Sequence, residues 1–411
     1  MSSTALYWLW FSSLPEVSLN AKAALLEAFG CPEAAFHAPP GAFFLVEGIT
    51  RRDAALLEER DLTLAKEIPA RCEEQEIRIL TPDDSAYPAR LKEVFACPAA
   101  LYVRGTLPDL DREVPVAVIG TRKASAYGLK MGRSMAYEVS KCGAVVVSGL
   151  TMGIDAAAAE GALAAGGVCV GVLGTPIDAA KGSLARNVCL RGALISEYAP
   201  GTPQMKQFFR ARNRIAAGIS CAVVVVEAPE KSGTRLFVAE ALEQGKEIFA
   251  VPGNADSETS AGTIRFLREG AQLVTRGWEV AEDLDITYPG VLDPSSRESF
   301  PISREGEEPT PKAEKAKGMK GGKPQTEKNS DKKRLDKPEP PCYIDITDRI
   351  SALNEVQQQI VLAVLAGNAS AEEIIETTQL PAKDVLTQLT LLEIRGLIQR
   401  DGWKGIVPKE H

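Results

Sequence analysis

The chain has 411 residues and a formal net charge of −8, with 45% hydrophobic and 25% charged residues. This composition is typical of a globular protein with about two to four domains. The negative charge excludes a generally basic nucleic-acid-binding protein, so any contact with a polyanion requires a local basic patch. The two histidines, His37 and His411, lie outside the central region, which disfavours Ser-His, Cys-His and His-ligated metal chemistry there.

The cysteines and the apolar runs bear on the compartment. Eight cysteines occur without a CxxC pair, so no zinc-binding spacing is present, and the apolar surroundings of several indicate a reducing cytosol. No apolar run reaches about 18 residues, and no signal-peptide pattern opens the chain. We therefore expect a cytoplasmic protein that neither spans a membrane nor binds a metal or cofactor.

Residues 1–75 are predicted to form a small helical domain. Apolar residues recur at helical spacing through 20–30 and 51–68, and Gly30 is a typical helix stop. An aromatic cluster near the N-terminus is predicted to belong to the core; it comprises Tyr7, Trp8, Trp10 and Phe11.

Residues 76–290 are predicted to form an α/β domain. Short apolar runs alternate with helical stretches, which indicates a parallel sheet covered on both faces. The predicted strands lie at 115–120, 144–148, 168–173, 193–196, 222–227 and 247–251, after a bridging segment at 77–105. Ligands of such sheets bind beyond the carboxyl ends of the strands.

The loops after these strands carry small and basic residues. The first strand is followed by Gly120, Thr121, Arg122 and Lys123, the second by Ser148 and Gly149, and the fifth by Ser232 and Gly233 at a predicted helix start. Tight turns and helix caps also explain single Ser-Gly pairs. Because several such loops share one edge of the sheet, we predict a basic rim that binds a chain of phosphates.

The segment FFRARNR at 208–214 precedes the strand at 222–227. If it opens a helix, Arg210 and Arg214 share one face at i,i+4 spacing, and the helix start offers free backbone N–H groups to an anion. The predicted contacts are Phe209, Arg210, Arg212, Asn213 and Arg214, with Phe208, Phe209 and Tyr127 as candidate stacking residues. A solvated basic face is the alternative.

Three acidic residues lie near these loops. Asp155 is predicted to be an N-cap rather than a catalytic carboxylate. Asp178 and Glu197 have no partner that the sequence identifies. No pair of carboxylates can be placed together from the sequence.

The last third of the chain changes in composition. Residues 291–345 are rich in Lys, Glu, Pro, Gly and Ser, which predicts a disordered linker whose lysine-rich part is a solvated tether or a loose nucleic-acid contact. Residues 346–411 are predicted to form a winged-helix-like domain, with helices at 352–366, 370–378 and 381–395 and two strands around Asp401-Gly402. Both DNA binding and protein interaction remain open for it.

Collinear motifs over 87–275 resemble the DNA-processing protein A (DprA, or Smf) family. They are YPARL (87–91), LYVRG (101–105), AVIGTRKASAYG (117–128), VVSGLTMGID (146–155), ISEYAPGT (195–202), FFRARNRIAAGIS (208–220), VVVEAPEKSG (224–233), ALEQGKEIFAVPG (241–253) and EGAQLV (269–274). The resemblance implies an extended Rossmann-like domain that binds single-stranded DNA. It also implies a homodimer that protects incoming DNA and loads RecA recombinase in natural transformation, without enzymatic activity.

The family's DNA contacts match Gly120, Thr121, Arg122, Ser148, Gly149, Arg212, Asn213 and Arg214. The sequence departs from the family pattern at Met152, Ala159, Lys181 and Ile264. An alternative is a nucleotide-processing, phosphoribohydrolase-like enzyme on the same scaffold. The sequence VPGNADSETSAGT lacks the doubled glycine of that class.

Overall fold

The computed structural model describes residues 3–301 and positions 356–357, 359–360, 363, 371–378, 381, 385, 388–389, 392, 398–401 and 405–408. The chain divides into two compact units, Met1–Thr310 and Pro311–His411. The predicted linker at 291–345 lies outside the described residues from position 302 onward and stays a prediction.

The N-terminal part is helical, as predicted. Its helices are α1 (Ser3–Ser12), α2 (Leu19–Phe29), α3 (Pro32–Phe36), α4 (Arg51–Glu58) and α5 (Thr63–Glu74), with a 3₁₀ helix at Ala42–Leu45. The Ser18 hydroxyl caps α2 by accepting from the Ala21 N–H, and Gly30 ends the helix with φ of 76°. Trp8, Trp10 and Phe11 are buried, which confirms these three as core residues, whereas Tyr7 is half-buried.

Nine strands form one mixed, mostly parallel sheet. They are β1 (Arg78–Leu80), β2 (Leu101–Gly105), β3 (Pro115–Gly120), β4 (Val145–Ser148), β5 (Cys169–Val172), β6 (Ala193–Ser196), β7 (Ala222–Glu227), β8 (Glu247–Ala250) and β9 (Gln272–Leu273), in the order β1-β2-β6-β5-β4-β3-β7-β8-β9. The six predicted strands are present, and each pairs in parallel with its neighbours among them. Their apolar runs are buried on both faces, which confirms the predicted α/β core.

The segment at 77–105 is part of the sheet rather than a bridge. It contributes β1 and β2, and β2 pairs antiparallel with both β1 and β6. The apolar residues of β2 are buried, and the Tyr102 hydroxyl forms a hydrogen bond with the Ser12 hydroxyl at 2.8 Å. This contact joins the sheet edge to the N-terminal helices.

Helices cover both faces of the sheet. They are α6 (Ala89–Lys92), α7 (Ala126–Lys141), α8 (Ile154–Ala164), α9 (Ser183–Arg191), α10 (Gln207–Ile219), α11 (Gly233–Glu243), α12 (Ala261–Arg268) and α13 (Gly277–Thr287), with 3₁₀ turns at Ile177–Ala179 and Glu258–Ser260. The chain leaves β3 toward β4 on one side, whereas β7 lies on the other side of β3. The carboxyl ends of β3 and β7 therefore flank a topological switch point, where doubly wound sheets bind ligands.

The N-terminal helices share a hydrophobic core with one face of the sheet. One continuous cluster contains Trp10 and Leu25 together with Tyr102, Val116 and Met135, and a second cluster fills the other face. The predicted boundary at residue 75 stays a prediction, since the helices on its N-terminal side pack into the same compact unit as the sheet.

The C-terminal unit contains α14 (Ala371–Thr378) and a hairpin of β10 (Ile398–Asp401) and β11 (Gly405–Pro408). The two strands pair antiparallel, with Asp401 opposite Gly405, which confirms the two-strand signal. The predicted helices at 352–366 and 381–395 lie partly outside the described residues. In the part of the chain that the structure describes, none of the helices has the length and apolar character that a membrane span requires.

Candidate nucleic-acid interface

A groove of about 550 Å³ lies at the switch point of the sheet. Its walls are the loop after β3, the start of α10 and the loop between β7 and α11. Ten of the thirteen predicted contact residues line it: Gly120, Thr121, Arg122, Lys123, Phe209, Arg210, Arg212, Asn213, Ser232 and Gly233. The sequence therefore located the groove, and the three exceptions, Ser148, Gly149 and Arg214, are buried beside it.

The loop after β3 is held rigidly by hydrogen bonds to β7. The Thr121 N–H donates to the Glu227 carbonyl at 2.8 Å, and the Glu227 carboxylate accepts from the Ser125 N–H and hydroxyl. A Cβ on Gly120 would lie 2.5 Å from the Ile154 side chain and 2.7 Å from the Glu227 carbonyl, so only glycine fits there. This framework leaves Arg122 and Lys123 exposed on the rim.

Arg122 and Phe209 form a cation–π contact across the groove. The guanidinium carbon of Arg122 lies 5.1 Å from the centroid of the Phe209 ring. A Cβ on Gly174 would lie 2.8 Å from that ring, so the absence of a side chain there makes room for Phe209. The half-buried phenylalanine and the exposed arginine together offer a flat surface and a positive charge to a nucleotide.

Arg212 and Asp155 lie beneath the groove rather than on its rim. The buried Arg212 donates from Nη1 to the Val172 carbonyl at 3.1 Å, while its Nε is buried without a partner among the described residues. A Cβ on Gly149 would overlap both the Arg212 guanidinium and the Asp155 carboxylate. Gly149, which the sequence predicted as a contact residue, therefore shapes the floor of the groove.

The prediction that Asp155 is an N-cap is wrong, because Gly153 caps α8 and Asp155 lies within its first turn. Its carboxylate accepts from the Thr151 hydroxyl at 2.9 Å. Burial raises the pKa of Asp155, although the Arg212 guanidinium and the hydrogen bonds from Thr151 and the Gly120 N–H lower it in part. Burial also lowers the pKa of Arg212, and Asp155 offsets part of that shift.

The start of α11 faces the groove with an unused hydroxyl. Ser232 is the N-cap residue, yet its side chain makes no capping hydrogen bond, and its buried Oγ has no partner among the described residues. N-cap serines normally accept from the helix backbone. The N-terminal end of this 11-residue helix is thus left without a side-chain cap, and its backbone N–H groups are available to an anion.

Two lysines of the groove were not predicted. Lys206 and Lys231 both line it and are exposed. Lys206 precedes Arg210 by four residues at the start of α10, so these two side chains share the exposed face that the sequence analysis gave to Arg210 and Arg214. The only feature of the sequence that could have identified Lys206 and Lys231 as groove residues is their position next to predicted contacts.

The groove has a strong excess of positive charge. Six basic side chains line it, namely Arg122, Lys123, Lys206, Arg210, Arg212 and Lys231, against one carboxylate, Asp155. Within residues 3–301, none of the five exposed cations forms an ion pair with an acidic side chain. Positive charge that is not neutralised internally, on a protein of negative net charge, makes this groove the candidate site for a polyanion.

Two of the predicted contacts point away from the groove. Arg214 is 2% exposed, and its Nη2 donates to both oxygens of the buried Glu197 at 2.6 Å. Glu197 thus has the partner that the sequence did not identify. The Ser148 hydroxyl donates to the Asp155 carbonyl and accepts from the Leu150 N–H, so it is occupied within the fold. Both residues support the groove without lining it.

The other two candidate stacking residues, Phe208 and Tyr127, do not line the groove. Phe208 is buried and stacks on Tyr198, with the two ring centroids 3.5 Å apart. Tyr127 is partly exposed, and its hydroxyl donates to the Pro252 carbonyl. The departures from the family pattern, Met152, Ala159, Lys181 and Ile264, all lie outside the lining of the groove.

The chain is similar to a family of known proteins over both of its units. The family model for DNA recombination-mediator protein A matches residues 78–285, and that for the DprA winged helix domain matches residues 347–402. Protein Smf of Synechocystis sp. is 28% identical over 410 residues, covering 97% of this chain and 98% of that protein. The DNA processing protein DprA of Streptococcus pneumoniae is 37% identical over 206 residues, covering 49% of this chain and 72% of the relative.

An X-ray structure of DprA from Streptococcus pneumoniae superposes with a TM-score of 0.57 and 30% identity, covering 69% of this chain and 98% of the other. The first family model accounts for half of the chain, and the second matches a stretch of the C-terminal unit that includes α14 and β10. The chain belongs to the DNA recombination-mediator protein A family.

Proposed function

We propose that the groove binds the backbone of single-stranded DNA and that the protein acts as a non-enzymatic recombination mediator. The observation that carries the proposal is the set of five exposed cations without acidic partners along one groove. Basic side chains that neutralise phosphates release condensed counterions, and this release drives sequence-independent binding.

The preference for a single strand rests on Phe209. Its ring lies half-buried in the wall of the groove beneath the Arg122 guanidinium. Bases of a single strand are free to stack on such a ring, whereas bases of a duplex are already stacked on each other. The Ser232 hydroxyl and the α11 N-terminus add neutral donors for phosphate oxygens.

Family membership supports the wider role. We propose that the protein is a cytoplasmic homodimer that protects incoming strands and loads RecA recombinase onto them during natural transformation. RecA filament formation on a single strand, timed with and without the protein, tests the loading step. Analytical ultracentrifugation tests the dimer.

The binding itself is tested by titrating fluorescent oligo-dT and a duplex of the same length, each at a low and a high salt concentration. We expect tight binding of the single strand, weaker binding of the duplex, and loss of both at high salt. Equal affinity for the two forms, or affinity that does not change with salt, would contradict the proposal.

A further inference from the structure

A second cavity of about 640 Å³ lies between the N-terminal helices and α10. It is lined by residues from the start of α2, by Phe95 and by one face of α10. Arg210 borders both this cleft and the groove, so the two cavities meet at one exposed guanidinium.

The acidic side chains of the cleft are engaged within the fold. Their contacts are Glu16 with Arg52, Asp53 with Ser18 and Thr50, Glu197 with Arg214, and Glu240 with Gln244. By contrast, Lys22 and Arg210 form no ion pair in the part of the chain that the structure describes. The cleft contains four acidic and four basic side chains, so it has no net charge, but among the described residues its cations Lys22 and Arg210 are left without a carboxylate in direct contact.

Lys22 is the unusual cation of the cleft. Its side chain is buried, and its ammonium lies 5.6 Å from the centroid of the Phe11 ring. Burial lowers its pKa to about 8, Glu197 offsets part of this shift, and Arg214 adds to it. The buried carboxylate of Glu197 thus interacts with two buried cations, Lys22 and Arg214. A second anion beside Lys22 would balance the charge of these three groups.

Phe95 supplies an apolar surface at the same cleft. Its side chain is 59% exposed, although phenylalanine side chains are usually buried in the core. The next residue, Ala96, has a φ of 50°, so the backbone adopts an unfavourable conformation directly beside this exposed ring.

We propose that the cleft is a second nucleotide subsite, in which Arg210 and Lys22 hold a phosphate of the strand and a base stacks on Phe95. The inference rests on the proposed function and extends it: the N-terminal helical region binds nucleic acid together with the sheet. Only a strand long enough to pass Arg210 reaches the subsite, so its contribution depends on the length of the oligonucleotide.

Anisotropy titrations with oligo-dT of about 5 and about 20 nucleotides test this length dependence. We expect Phe95→Ala to weaken binding of the longer strand by at least about fivefold, the low end of what one stacked base contributes, and to leave the shorter strand unaffected. Phe95→Tyr retains the ring and should retain the affinity. Phe44→Ala removes another exposed phenylalanine outside the cleft and should change neither titration.

Lys22→Met tests the phosphate contact separately. It should weaken binding of the longer strand and reduce its salt dependence by about 0.7 in the slope of log K against log salt, whereas Phe95→Ala leaves the slope unchanged. Full affinity of both variants for the longer strand, or an equal loss for both lengths, would refute the subsite while leaving the groove intact. Failure of the unmodified protein to bind either strand would refute the proposed function and the subsite together.

Discussion

Replacing Arg122 by alanine should change the salt dependence of DNA binding by a calculable amount. Arg122 is exposed on the rim, its guanidinium lies over the ring of Phe209, and it is one of five exposed groove cations. If each cation neutralises one phosphate of a single strand, the slope of log K against log salt is about −3.5 for the unmodified groove and about −2.8 for Arg122→Ala. The fraction of affinity lost on adding salt should therefore be smaller in the variant.

The slopes translate into measurable ratios. Between about 50 and 200 mM salt, the unmodified protein should lose about 130-fold in affinity for oligo-dT, and Arg122→Ala about 50-fold. At the lower salt concentration the variant should already bind more weakly, because a phosphate contact and the cation of the Phe209 pair are both missing. Its thermal unfolding temperature should be unchanged, since the side chain is exposed.

Anisotropy titrations at four salt concentrations, with a short oligo-dT that occupies the groove alone, provide the assay. Arg268→Ala is the matched control, because it removes the same charge at the last residue of α12. Helices that follow parallel strands run back along the sheet, which places this residue at the edge opposite the groove. An unchanged slope for Arg122→Ala, or the same reduction for Arg268→Ala, would refute the assignment of the groove.

Three further substitutions separate structural from binding roles. Arg214→Met should lower the free energy of unfolding by about 3–5 kcal/mol in a denaturant titration, because it leaves Glu197 buried without its partner. It should not change the salt dependence of binding to a short oligo-dT. A weaker salt dependence with unchanged stability would contradict the buried position of Arg214. Gly149→Ala should cost about 1–3 kcal/mol of stability and weaken DNA binding, since the added methyl displaces the Arg212 guanidinium; wild-type melting and affinity would contradict the close packing. Because burial lowers the pKa of Lys22, the unfolded chain keeps the proton of this side chain between pH 8 and 10.5, whereas the folded chain loses it. The free energy of unfolding should therefore rise over this range by about 1 kcal/mol per pH unit relative to that of Lys22→Met. Parallel pH profiles of the two proteins would contradict this prediction.

The sequence was sufficient to predict the central strands of the sheet because these buried strands are continuous apolar runs. Residues 115–120, 193–196 and 222–227 coincide with strands in the structure, and the carboxyl-end rule then placed the groove. The edge strands were harder to predict from the sequence. Strand β1 has only three residues, which go from exposed at Arg78 to buried at Leu80, so it carries no apolar run that distinguishes it from a loop.

The roles of single polar residues were not available from the sequence. Arg214 and Glu197 are 17 positions apart and meet only because α10 packs beside the end of β6. In sequence, Arg214 therefore looks like Arg210, although one is buried in an ion pair and the other is exposed at the groove. The hydroxyls of Ser148 and Ser232 are equally alike in sequence, but one is occupied in the fold and the other has no partner among the described residues.

The helical geometry of α10 explains why one segment serves two cavities. Residues two apart on a helix lie on nearly opposite faces, whereas residues four apart share a face. Arg212 is therefore directed to the groove and Arg214 to the cleft. Each is buried near an acidic residue, Asp155 in the first turn of α8 for Arg212 and Glu197 directly after β6 for Arg214. Arg210 stands one turn nearer the helix start, beyond these partners, and borders both cavities. The two buried arginines anchor the helix that separates groove from cleft, and the exposed one is left to bind what passes between them.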